Sequence, residues 1–225
     1  MKAIVIGASG GIGAALANHL RTRGASVLEL SRRSGTIDLA HEQTIAAAAD
    51  TARTGGPFDL IICASGILHG DGLSPERSLR DLDANKLAQS FVVNAIGPAL
   101  VMRHFLPLLP PAERSVFAAL SARVGSISDN RLGGWYGYRA SKAALNQFVR
   151  TAAIELARTR PQAVCVALHP GTVDTAMSKP FQRGVAAEKL FTPATSAERL
   201  LEVVAGLNPA DSGGFFDWEG KPIPF

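Results

Sequence analysis

The chain has 225 residues, a formal net charge of +4, and 47% hydrophobic, 19% charged and 6% aromatic residues. That length suits one large domain able to bury a core without disulfides or a structural metal, and the apolar–charged balance excludes global disorder. The 22 glycines and 13 prolines are dispersed, which excludes a collagenous or low-complexity chain.

The richest apolar stretch, 91–111, is interrupted by Asn94, Arg103, His104 and prolines, so no unbroken run of roughly 18 apolar residues spans a membrane. The apolar start, Ala3 to Gly7, is too short for a signal-peptide core. These features predict a cytoplasmic protein with no membrane partner. Cys63 and Cys165 lie in apolar surroundings and read as buried, inert thiols, with no metal site. The pI is about 9.4, but the longest basic run is Arg32-Arg33 and no aromatics interleave the cations. A nucleic-acid partner is therefore not expected.

The elements follow in chain order. Residues 2–6 form a short apolar run that enters a glycine cluster. Residues 12–23 read as a helix ended by Gly24. A second strand is expected at 26–30, an alanine-rich helix at 41–53 and a third strand at 58–63. Residues 83–109 read as one long helix or two, limited by Pro98 and Pro107. Strands follow at 115–120 and 163–168, around a strong helical run from 136 to 160 that Pro161 stops. A late helix at 195–206 and a short strand at 214–218 complete the pattern. Continuous apolar strands alternating with helices predict an α/β fold: one doubly wound domain, its parallel sheet flanked by helices on both faces.

Gly7, Ser9, Gly10, Gly11, Ile12 and Gly13 lie between the first strand and the first helix. Glycines there permit a tight turn and close approach of a pyrophosphate, and the helix offers free N–H groups to it. No Lys-Ser/Thr pair follows, which excludes a P-loop. The second strand ends in Leu30-Ser31-Arg32-Arg33. An acidic residue at such a place holds a ribose 2′-hydroxyl, whereas arginine suits a 2′-phosphate. Ser31 and Arg32 therefore predict NADP(H), with Glu29 as a rival acidic contact.

Tyr138 and Lys142 are four residues apart at the start of a helical run, so they share a face. A free phenol titrates near 10, and a neighbouring ammonium favours its ionised form. Such a group can exchange a proton with a carbonyl or alcohol oxygen.

The spacing Gly7, Gly11, Gly13 together with Tyr138-x-x-x-Lys142 resembles the short-chain dehydrogenase/reductase family, and its small carbonyl-reductase, C-factor-like branch through 122–126 and 133–136. The resemblance implies an NADP(H)-dependent oxidoreductase that moves a hydride between nicotinamide and a carbonyl or alcohol, with Tyr138 as proton donor or acceptor. It implies further that Asn94 supports the lysine, that Asp38 and Leu39 meet the adenine, and that Ser65 and Gly66 line the cofactor. Pro170, Gly171, Val173 and Thr175 would hold the nicotinamide amide. The family's catalytic serine lies three residues before a glycine; here that place is Ala122. Ser121 is the preferred substitute and Ser126 the reserve, or Tyr138 acts without a serine. Residues 66–74 and 176–191, with His69, Met177 and Phe181, would border a small-molecule substrate. A homodimer or homotetramer is the implied assembly. A cofactor-binding signalling protein with little turnover is the alternative.

Overall fold

The computed structural model describes residues 1–70 and 72–225. Six parallel strands form the main sheet: β1 (Lys2–Ile6), β2 (Ser26–Leu30), β3 (Leu60–Cys63), β4 (Ser115–Leu120), β5 (Ala163–Leu168) and, at the edge, β8 (Phe215–Phe216). Their order is β2-β1-β3-β4-β5-β8. All six strands expected from the sequence are present, β3 and β8 shorter than read. Two further two-residue strands, β6 (Thr172–Val173) and β7 (Leu190–Phe191), pair with each other outside the sheet.

β3, β4 and β5 are buried along their whole length, because helices cover both faces. One layer buries Phe105, Phe117 and Leu145 among α2 (Glu42–Arg53), α4 (Gly97–Phe105) and α5 (Tyr136–Thr159). The other buries Leu16, Leu20 and Leu200 between α1 (Gly11–Thr22) and α6 (Pro193–Gly206). The order turns back between β1 and β3, and a crevice opens at the carboxyl ends of strands at such a point.

The expected long helix is broken in a specific way. α3 (Ala84–Phe91) passes into a π-helical turn, Val92–Ile96, and then into α4. Pro98 has no N–H to give the Asn94 carbonyl, while the Gly97 N–H bonds to Val92 five residues back. By length and composition the run 84–108 is apolar enough to cross a membrane, which the sequence reading did not anticipate. In this fold it packs against α2 and α5. α6 begins two residues earlier than expected, since Thr192 caps the Thr195 N–H and Pro193 occupies the first turn.

Candidate active site

The glycine turn closes β1 onto α1. Gly7 adopts φ +87°, and the N–H groups of Gly7 and Ala8 donate to the Leu30 carbonyl at 2.8 and 3.2 Å. Gly10 precedes α1 without a side-chain cap, and no acidic residue stands in the first turn. The N–H groups of Gly11, Ile12 and Gly13 thus have no partner within the helix and sit at its positive end, a cradle for an anion. Ser9 is exposed beside them. A methyl on Gly7 would come 2.8 Å from Ser65 Oγ, and one on Gly11 2.7 Å from Thr175 Cγ2. Ser65 and Thr175 therefore flank the turn.

At the end of β2 the structure sorts the candidates. Glu29 pairs with Arg21 of α1. Ser31 is buried; its hydroxyl bonds to Ser34 Oγ at 2.9 Å and its N–H to Thr36 Oγ1 at 2.9 Å. It thus helps to build the turn 31–36. The turn leaves Arg32 and Arg33 exposed, without an ion pair among the described residues. Asp38 and Leu39 lie on a loop, not after a strand. The Asp38 carboxylate accepts from the Ala40 N–H and faces His41 at 3.3 Å. Leu39 is buried in the core, and a methyl on Gly97 would meet its Cβ at 2.6 Å. Leu39 packs against α4.

The catalytic candidates converge on α5. Lys142 is buried and its Nζ donates to the Leu120 carbonyl at 2.8 Å. That nitrogen lies 5.8 Å from the centre of the Tyr138 ring. Burial pulls Lys142 down to about 8, and the nearby Cys63 opposes that shift. Burial pushes the Tyr138 phenol up to about 12. The expectation that the ammonium lowers this pKa is not met in the free protein: desolvation of the phenolate dominates. Tyr138 is accordingly protonated at neutral pH. Asn94, fully buried in the π-turn, clamps Ile67: its Oδ1 accepts from the Ile67 N–H at 2.8 Å and its Nδ2 donates to the Ile67 carbonyl at 2.9 Å. Gly66 makes room between them, for a methyl there would stand 3.3 Å from Asn94 Oδ1 and 3.5 Å from Lys142 Nζ.

Both candidate serines are hydrogen-bonded inside the protein. Ser121 is buried and donates its single hydroxyl proton to Asn146 Oδ1 at 2.7 Å. Ser126 donates to the Pro224 carbonyl and accepts from the Asp129 N–H. Both protons are committed inside the protein, and Ala122 stands in extended backbone between Ser121 and the turn 123–125.

After β5, the Pro170 carbonyl accepts from Ser196 of α6 at 2.8 Å. Gly171 has φ +80° and abuts the Phe191 ring, where a methyl would clash at 2.6 Å. Val173 is buried beside β7, and the Thr175 N–H bonds to Ser178 Oγ.

The short chain dehydrogenase family model matches residues 1–186. The chain belongs to this family. It is thereby an oxidoreductase of the short-chain dehydrogenase class. It is 38% identical over 171 residues to the C-signal of Myxococcus xanthus, covering 76% of this chain and 94% of that protein. It is 27% identical over 230 residues to the 1-hydroxy-2-glutathionyl-2-methyl-3-butene dehydrogenase of a Rhodococcus species, covering 96% of each. Among solved structures, the NADPH-bound carbonyl reductase from chicken fatty liver superposes with a TM-score of 0.84 at 25% identity, covering 100% of this chain and 98% of that one.

In this short-chain dehydrogenase a cavity of about 800 Å³ is lined by His69, Leu73, Glu76, Lys86, Trp135 and Phe181, among others, and reaches Tyr138 only through Trp135. Trp135 packs edge-on to both Tyr138 and Phe181, with ring centres 6.2 and 5.1 Å apart, and Phe181 meets His69 at 5.6 Å. His69 and Phe181 thus border this cavity. Met177 instead lies near Gly66, its Cε 4.0 Å from where a methyl would stand. Asp71, within the expected substrate segment, lies outside the described residues. Asn146 escaped the sequence reading, although its position one turn beyond Lys142 on the Tyr138 face was a usable signal. Glu76 gave none, since only the fold brings it to α5.

His169 closes β5 with its ring edge-on to Trp218 at 5.3 Å and its Nδ1 without a partner among the described residues. Burial drives its pKa to about 4, Arg123 adds to the shift and Asp217 opposes it. Between about 6.5 and 4 the unfolded chain binds this proton and the folded chain does not, so stability falls as pH falls through that window. The loss is about 2 kcal/mol. Urea denaturation at pH 6.5 and 4.5 should show it in the wild type, and a visibly smaller difference in His169→Gln.

Proposed function

We propose that this chain is an NADP(H)-dependent reductase of aldehydes or ketones, with Tyr138 as the proton donor. The observation that carries the reading is the segment 65–66, where Ser65 lies against Gly7 of the uncapped glycine turn and Gly66 against the buried Lys142, whose ammonium faces the Tyr138 ring. The residues fit the cofactor. The N–H groups of Gly11, Ile12 and Gly13 would hold the pyrophosphate, Arg32 the 2′-phosphate, and the backbone around Val173 and Thr175 the nicotinamide amide. The printed title of the chicken carbonyl reductase, which names NADPH, supports the same choice.

When bound, the reduced nicotinamide supplies a hydride to the carbonyl carbon. Tyr138 gives its proton to the carbonyl oxygen, so an alcohol forms and a phenolate remains to be reprotonated. The Tyr138 value of about 12 keeps that proton in place until the substrate oxygen becomes basic. Lys142 faces the Tyr138 ring and stabilises the transient phenolate. Asn94 holds the Ile67 backbone, and with it Gly66, against Lys142. With Ala122 where the family has serine, Tyr138 is the sole hydroxyl donor to the substrate oxygen. The homo-oligomer belongs to the same proposal, supported by the exposed Phe148 and Ile154 on α5.

Calorimetric titration tests the cofactor assignment. NADPH should bind at least about tenfold more tightly than NADH, one charged contact being worth that much. Arg32→Ala should weaken NADPH by about tenfold and leave NADH unchanged. Equal affinity for both cofactors overturns the assignment. A second reading, a cofactor-binding protein that acts through partners with little turnover, is favoured by Ala122 and by the 38% identity to C-signal.

A further inference from the structure

The start of α5 is an unusual place for a helix to begin. Gly133, Gly134 and Trp135 have φ values of +63°, +63° and +53°, so three successive residues are left-handed. Trp135 is the sole non-glycine residue with positive φ among those described, and it offers α5 no side-chain cap. A left-handed residue with a large side chain persists only where its surroundings hold it.

The holding group is Glu76, from the segment that lines the cavity beside Trp135, which we take as the substrate cavity. Its carbonyl accepts from the Trp135 N–H at 2.6 Å, and its Oε2 accepts from the Gly137 N–H at 3.0 Å. Glu76 is 5% exposed, and no cation pairs with it among the described residues. Gly137 is shaped to receive it, since a methyl there would stand 2.8 Å from Glu76 Oε1 and 3.0 Å from Leu87 Cδ2. A buried carboxylate at a helix N-terminus is stabilised by the free N–H groups and the dipole. The next residue is Tyr138.

We infer that Glu76 is a positioning residue: it caps α5 from the substrate segment, and so fixes Trp135 and the Tyr138 phenol relative to a substrate in the cavity. The inference deepens the reductase reading and rests on it. Glu76 touches neither cofactor nor reacting atoms; it acts through the turn 135–137. Two contacts from one residue tie the cavity wall to the proton donor, so a shift of that wall reaches Tyr138 directly.

The test compares Glu76→Leu with Glu76→Gln in the full chain, using NADPH and an aldehyde the wild type reduces. Glu76→Leu should lower kcat by about tenfold to a hundredfold, as a misplacement near 1 Å does, with NADPH affinity within about twofold of wild type. Glu76→Gln keeps the acceptor and should recover most of that loss. Hydrogen exchange at amides 137–142 should quicken in Glu76→Leu and stay slow in Glu76→Gln, with β4 unchanged in both. A kcat within twofold of wild type in Glu76→Leu overturns the inference. So does an equal loss in both variants, or a fall in kcat matched by a fall in NADPH affinity. Absence of turnover in the wild type overturns the reductase reading instead, and unchanged exchange at 137–142 in Glu76→Leu would then overturn the seating of the turn.

Discussion

Tyr138→Phe should lower kcat/KM for carbonyl reduction by about 10²- to 10⁴-fold, the usual worth of a placed general acid. The ring keeps its edge-on contact with Trp135 and its place over Lys142, so only the proton is removed. NADPH affinity, measured by calorimetry, should stay within about twofold. With Ser121 committed to Asn146 and Ser126 to Pro224, no neighbouring hydroxyl takes over the transfer. A variant that keeps more than a tenth of wild-type activity would remove Tyr138 from the reaction. The same variant separates the two functional readings in cells. If it complements a deletion as fully as wild type does, turnover is not what the cell uses.

Gly13→Ala should abolish measurable NADPH binding and destabilise the fold by about 3 kcal/mol, the upper part of the overpacking range. A methyl on Gly13 would lie 2.2 Å from the Gly7 carbonyl oxygen, 2.8 Å from its carbon and 3.2 Å from Ala8 Cα. All three neighbours are backbone, and none can rotate away. α1 or the glycine turn must therefore move by about 1 Å, in an interior that is close-packed. Either movement takes the N–H groups of 11–13 out of line with a pyrophosphate. The melting temperature should fall by roughly 6–12 °C. Gly206, with open space around it at the end of α6, is the control and should accept alanine without loss. An unchanged melting curve for Gly13→Ala would refute the close approach.

Much of this molecule is written locally. Each of the six sheet strands is a short apolar run, and apolar runs between helical ones leave the parallel, doubly covered sheet as the plan that buries them all. The glycine turn and the Tyr138–Lys142 pair are equally legible, because both depend on chain spacing of a few residues. A strand ending at Ile6 and a helix starting at Gly11 fix the glycine turn by themselves. Four residues along α5 fix which face the phenol and ammonium share. Even the break before Pro98 was visible, since a missing N–H acts on the residue four back.

Pairings between distant segments were not legible, because they cost no local pattern. Spacing near Gly125 left Ser121 as the preferred source of a catalytic hydroxyl and Ser126 as the reserve. Only the packing of β4 against α5 gives Ser121 to Asn146, and only the return of residue 224 takes Ser126. Ser31 looked free to meet a cofactor until the turn to Thr36 claimed its hydrogen bonds. The pKa of Tyr138 follows the same rule: the nearby ammonium is visible in sequence, but the desolvation that outweighs it exists only once the core has formed. Glu76 shows it most plainly, 61 residues from the Gly137 N–H it accepts. The sequence by itself determined the fold, the glycine turn and the shared face of Tyr138 and Lys142, since each rests on hydrophobic periodicity or short spacing. The tertiary structure decided which polar groups are spent and which remain free, because burial and hydrogen-bond partnership belong to the folded chain.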